Sequence, residues 1–222
     1  MTEPPDPQPV LTEDRPRGDV RAAVLLLHGG RSESREPVRA RQPSVVRLRP
    51  FAGALRRAGA PLGLTVWRLR YAIRGWNGAD ESPLADVRSA LAAVRARDPE
   101  VPIALVGYSM GGRSAIRVTG EAGAGEGVVA VAALAPWLTP SETPSMLAGR
   151  HVLLMHGTAD TTTDPRATTA FAAALDGVAA SVRHVPVPDD GHALLRHPFV
   201  WHREVTRFVL ARTGLAVEWP PT

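Results

Sequence analysis

The chain contains no cysteine and no lysine. Without cysteine there is no disulfide, no thiolate metal site and no cysteine nucleophile, and redox chemistry does not fix a compartment. Every basic side chain is therefore arginine: 26 stand against 22 acids, and the formal charge of +4 is scattered along the chain. No nucleic-acid-binding motif accompanies them, so the surplus reads as a matter of solubility and weak association, and nucleic acid is not an expected partner. Long hydrophobic runs are missing too. Ala22 to Leu27, the longest near the N-terminus, falls far short of the roughly 20 apolar residues that cross a membrane. Stable membrane insertion is not expected. Met1 to Asp19 is rich in proline and acid and has no apolar centre, unlike a secretory signal, so a cytoplasmic location is expected.

A length of 222 residues, 44% of them apolar, suits one globular domain with a sizeable core. Residues 1–19 have too few apolar side chains to bury a face and read as a flexible N-terminal tail. The domain is expected over 20–214, with a C-terminal tail at 215–222. The sequence carries no signal for the oligomeric state.

Within the domain, short aliphatic runs alternate with amphipathic stretches. Ala22–Leu27, Leu64–Leu69, Pro102–Val106, Val128–Ala133, His151–Met155 and Ser181–Val187 read as strands. The middle ones are almost continuously apolar, as strands covered on both faces must be. Ser82-Pro83 and Asp164-Pro165 are helix starts, each a capping residue followed by a proline at the first helical turn. Leu84, Val87, Leu91 and Val94 then share one face, and a last helix runs from about Pro198 to Arg212. Strand–helix alternation of this kind predicts a three-layer α/β/α sandwich around a mostly parallel sheet of about six strands. Ligands of such sheets bind beyond the carboxyl ends of the strands.

That is where the reactive residues fall. Strand 102–106 runs into Gly107-Tyr108-Ser109-Met110-Gly111-Gly112, a Gly-x-Ser-x-Gly pattern between a strand and a helix. A serine on so sharp a turn is strained, and side chains two positions away on either side would collide. Ser109 is the candidate nucleophile. It needs a base to take its proton. Of seven histidines, only His156 and His192 directly follow strands, and His192 sits in the loop Asp189-Asp190-Gly191-His192, free to reach back to a central strand. The orienting acid is expected after the strand between them, where His156-Gly157-Thr158-Ala159-Asp160 places Asp160. Asp164 is the rival, although the proline after it marks a helix cap. Asp189 and Asp190, next to the histidine, would have to fold back on themselves. For a tetrahedral oxyanion, the Met110 N–H is one donor. The second comes from His28-Gly29-Gly30-Arg31, with Gly30 preferred and Arg31 the alternative.

His-Gly-Gly, Gly-Tyr-Ser-Met-Gly-Gly, His-Gly-Thr-Ala-Asp and Asp-Gly-His together resemble the α/β-hydrolase superfamily over about residues 20–212. The elbow is similar to that of lysophospholipase- and monoacylglycerol-lipase-like esterases. The resemblance implies a serine hydrolase that cleaves a small-molecule acyl ester or thioester without metal or organic cofactor. Only Trp137 to Gly149 separates Pro136 from the next strand, too little for a helical cap, and the two N-terminal strands of the fuller fold are not seen. The expectation is a minimal, uncapped member.

Trp76 and Trp137 follow strands at the same edge and are candidate pocket walls, though aromatics there often anchor loops. Arg31, Arg35, Arg39 and Arg41 lie in a long loop, 31–49, bordering the site; they could draw in an anionic substrate or simply be solvated. Two alternatives stay open: an acyltransferase, lyase or cofactor-free peroxidase on the same fold, separable by product analysis, and a non-catalytic ligand-binding scaffold, separable by fluorophosphonate labelling.

Overall fold

The computed structural model describes residues 6–216. Among them a seven-stranded sheet has the order β1-β3-β2-β4-β5-β6-β7. Its strands are β1 (Val10–Asp14), β2 (Ala22–Leu27), β3 (Leu64–Arg70), β4 (Ile103–Tyr108), β5 (Val128–Leu134), β6 (His151–Gly157) and β7 (Ser181–Val187). All neighbours are parallel except β1, which lies antiparallel on β3 with Val10 opposite Arg70 and Asp14 opposite Val66. The helices are α1 (Pro43–Val46), α2 (Arg49–Gly59), α3 (Pro83–Arg97), α4 (Met110–Thr119), α5 (Pro165–Ala174) and α6 (Pro198–Arg212).

The period-2 geometry of the central strands makes the two faces. In β2, Ala23, Leu25 and Leu27 join one core cluster with Leu84, Val87 and Leu91 of α3, Ile116 of α4 and Phe171 of α5. Ala22, Val24 and Leu26 join the other, with Phe51 and Leu55 of α2 and Trp201, Val205 and Phe208 of α6. Both faces are covered, which is why β2 and β4 are buried along their whole length. The sandwich is three layers, as expected from the sequence.

The sheet has one strand more than expected. Residues 10–14 belong to it and not to a tail, so one N-terminal antiparallel strand is present. β1 has no apolar run because it is a half-exposed edge strand, held by backbone pairing and by charge. Asp14 pairs with Arg68 at 3.2 Å, and Arg15 just beyond grips Asp98 with both guanidinium nitrogens at 2.9 and 2.7 Å. The stretch 31–49 is likewise not one open loop. It is pinned by bridges Arg31–Gly75 and Pro37–Ile73 and contains α1. At the C-terminal end, the amides of Leu215 and Ala216 fold back on the Leu210 carbonyl at 2.9 and 3.0 Å; the rest of the expected tail, 217–222, lies outside the described residues. Between β5 and β6 the described chain makes only a 3-10 turn, Pro144–Leu147. No helix among the described residues is long and apolar enough to cross a membrane.

Candidate active site

Four loops leave the carboxyl ends of β2, β4, β6 and β7 and meet at one edge of the sheet. The turn after β4 is the tightest. Ser109 holds φ 55° and ψ −118°, a conformation that costs a non-glycine residue about 1–3 kcal/mol and persists only where surroundings enforce it. They do so by close approach. A Cβ on Gly107 would lie 2.2 Å from the Gly111 carbonyl oxygen, and one on Gly111 would lie 2.0 Å from that of Leu27. The Ser109 amide donates to Leu134 O at 2.9 Å, and its carbonyl accepts from the amides of Gly112, Arg113 and Trp137. The serine is thereby fixed at the N-terminus of α4.

His192 reaches it from the loop after β7. Its Nε2 lies 3.0 Å from Ser109 Oγ, and its Nδ1 lies 2.8 Å from Asp160 Oδ2. With Nδ1–H donating to the carboxylate, Nε2 is left to accept the serine hydroxyl proton. The sequence-derived trio thus converges into one hydrogen-bonded chain. Asp164 does not take part: it caps α5, its Oδ1 accepting the Arg166 amide at 2.8 Å. Asp190 also stays apart from the chain. Its carboxylate collects the amides of Gly191, Arg196 and His197 and the Trp201 indole N–H, which ties the histidine loop to α6. Tyr108 closes the brace, its hydroxyl donating to the His192 carbonyl at 3.0 Å.

Asp160 is the most heavily solvated-by-protein group of the site. Oδ2 accepts from His192, from Thr163 Oγ1 at 2.9 Å and from His156 Nε2 at 3.1 Å, while Oδ1 accepts the amides of Thr162 and Thr163. Burial works against the charged carboxylate, but the hydrogen bonds from His156, His192 and the two amides outweigh it and hold its pKa well below the usual carboxylate range. His156 and Thr163 went unrecognised in the sequence as partners of Asp160. The signal was there in part: His156 precedes Asp160 by four residues at the end of a strand.

The loop after β2 lies against the elbow. A Cβ on Gly29 would come 3.2 Å from Ser109 Cβ, and one on Gly30 would strike the Met110 side chain. His28 sets the loop's peptide plane. Its Nε2 accepts the Tyr71 amide at 3.2 Å, so Nδ1 is the protonated nitrogen and donates to Gly29 O at 2.7 Å. The trans peptide then turns the Gly30 N–H to the opposite side. The N–H groups of Gly30 and Met110 have no protein acceptor among the described residues, whereas the Arg31 amide is already committed to Arg74 O at 2.9 Å. Of the two candidates in that loop, only Gly30 has a free donor.

Trp76 and Trp137 are brought together, but around an arginine. Their rings meet edge to face at 6.1 Å, with the Arg113 guanidinium 4.0 Å from one centroid and 4.6 Å from the other. Trp76 is buried, so it serves packing and not an open pocket wall. Arg113 itself is buried and bonded to Glu142 at 2.9 Å, a pair the sequence did not reveal because 29 residues separate the partners. Arg31 is exposed and lines, with Gly30, Gln42, Ser44 and Arg74, a pocket of about 200 Å³ beside the elbow. Among the described residues no group of three His, Asp or Glu side chains is placed to hold a metal ion.

No protein-family model matches the chain, and no curated protein matches its sequence. Solved structures match its fold. An α/β serine hydrolase without a lid from Xanthomonas campestris is 21% identical and aligns over 96% of this chain and 91% of its own at a TM-score of 0.65. A serine hydrolase homologue from Coxiella burnetii is 18% identical over 93% and 94% of the two chains at 0.67. A butyrate-bound esterase from Thermogutta terrifontis is 19% identical over 96% and 92% at 0.67. The chain therefore has the α/β-hydrolase fold, with no lid among its described residues.

Proposed function

We propose that the chain is a serine esterase that cleaves a small carboxylic ester or thioester through an acyl-enzyme, with Ser109 as nucleophile, His192 as general base and acid, and Asp160 as the group that orients the imidazole. His192 Nε2 takes the Ser109 proton as Oγ bonds to the substrate carbonyl carbon. The electron pair displaced onto the carbonyl oxygen is met by the N–H groups of Met110 and Gly30 and by the N-terminal end of α4. Collapse expels the alcohol or thiol, which leaves with the proton from His192. Water then repeats the sequence and frees the acid. Asp160 remains ionised throughout, consistent with its lowered pKa.

The observation that carries this reading is the continuous contact from Ser109 Oγ through His192 to Asp160 Oδ2, at 3.0 and 2.8 Å, on a strained serine. The hydrolase and esterase names of the structural neighbours support the same class. The test is turnover of a soluble chromogenic ester such as p-nitrophenyl acetate. Ser109→Ala is expected to lower kcat on the order of 10⁶-fold. A Ser109→Ala protein that keeps most of its turnover removes this serine from the mechanism.

A further inference from the structure

Phe199 and Leu195 are 85% and 63% exposed, and Val46 is 38% exposed. These are not scattered singles. They line two open grooves of about 870 and 410 Å³ that adjoin through Pro50 and His202, between α2, α6, α1 and the loop after His192. Exposed apolar tips gathered in one place mark a contact surface.

The rim says what kind. Arg41, Arg47, Arg57, Arg203 and Arg207 line the two grooves, and no aspartate or glutamate does. Arg203 is shared with Glu204 at 3.2 Å, a carboxylate also held by Arg183. The other four make no ion pair among the described residues. With no carboxylate in either lining, this face keeps its positive charge beside its exposed apolar tips. We infer that the face is a docking surface for an anionic lipid–water interface: the apolar tips enter the headgroup region and the arginines meet the acidic headgroups. A second copy of the chain fits poorly, because two-fold pairing would set these arginines against one another with no acid between them.

The surface includes the segment that follows the histidine of the candidate site. Leu194 and Leu195 follow His192 by two and three residues, Tyr108 holds the His192 carbonyl, and the Arg47 charge acts on the Tyr108 hydroxyl. A docked chain presents the Ser109 cleft to molecules at the lipid surface.

Vesicle flotation of the full chain tests this without reference to turnover. Vesicles of phosphatidylcholine with phosphatidylglycerol are expected to retain at least about tenfold more protein than phosphatidylcholine alone at low salt, with most of the difference lost at high salt. Leu195→Ser with Phe199→Ser, and separately Arg57→Glu with Arg207→Glu, are expected to lower retention about tenfold while turnover of the soluble ester stays unchanged. Equal retention on neutral and acidic vesicles, no retention on either, or a dimer in sedimentation equilibrium that the Leu195 and Phe199 changes dissociate would each overturn the inference. Loss of ester turnover in the wild-type chain with vesicle binding intact would fault the esterase reading alone.

Discussion

A carboxylate that serves only to orient one histidine needs one donor from it; Asp160 has three side-chain donors on Oδ2 alone. The extra two come from His156 and Thr163, both buried. His156 is itself anchored, its Nδ1 2.7 Å from Thr168 Oγ1. This arrangement fixes the carboxylate plane before any substrate arrives, so His192 meets an acceptor that does not rotate. His156→Leu removes one donor to Asp160 and leaves the Thr168 hydroxyl without its partner. The expected result is a loss of about 2 kcal/mol in stability, or roughly 4–8 °C in Tm, and a fall in kcat on the order of tenfold with KM little changed. An equal fall in kcat and rise in KM would place His156 at substrate and not behind Asp160. Ser109, His192 and Asp160 were legible because glycines, strand ends and chain order announce them. Thr163 was not, since a threonine in a polar loop gives no pattern until the fold lays its hydroxyl on the carboxylate.

At the scale of elements, α4 does two things: its N-terminus carries Ser109 and Met110, and its next turn sends Arg113 between Trp76 and Trp137. Arg113 bonds Glu142 through Nε and the hydroxyls of Thr139 and Ser141 through Nη2, so the segment after β5 is clamped to the helix that bears the nucleophile. Trp137, in that segment, donates its amide to the Ser109 carbonyl at 3.2 Å. Between β5 and β6 the described residues hold only a 3-10 turn, which leaves this clamp as the organiser of the connection. Arg113→Met keeps the apolar stem but takes from the buried Glu142 carboxylate its nearer cation, leaving Arg117 at 4.0 Å and the donors of Thr139 and Ser141. The expected cost is up to about 3–5 kcal/mol. Adding Glu142→Leu should recover most of it, read as unfolding midpoints in urea. A single variant as stable as the parent would show the pair to be idle. Elements with their own periodicity, such as α3 and α6, could be read from the sequence nearly to their ends. β1 could not, because an edge strand half in solvent carries no apolar alternation to distinguish it from a tail.

For the molecule as a whole, acid sensitivity follows from histidines buried without charge. Burial is the main cause that takes His28 down to about 4, with the nearby Arg70 adding to it and the Gly29 hydrogen bond opposing. Burial lowers His151, His184 and His202 as well. The unfolded chain takes up these protons near pH 6.5 and the folded chain only at lower pH, so stability is complete above about 6.5 and declines as pH falls toward about 4. His28 alone accounts for up to roughly 3 kcal/mol of that decline. His28→Asn, which can still donate to Gly29 O, should flatten the stability profile between pH 7 and 4.5; an unchanged slope would assign the acid sensitivity elsewhere. The sheet topology and the hydrogen-bonded chain from Ser109 through His192 to Asp160 converge on one group of atoms at the end of β4. Mass spectrometry of the intact chain after treatment with a fluorophosphonate addresses it most directly. A single adduct is expected, mapped to Ser109, absent in Ser109→Ala and formed far more slowly in His192→Gln. An unlabelled wild-type chain, or an adduct that persists in Ser109→Ala, would contradict it.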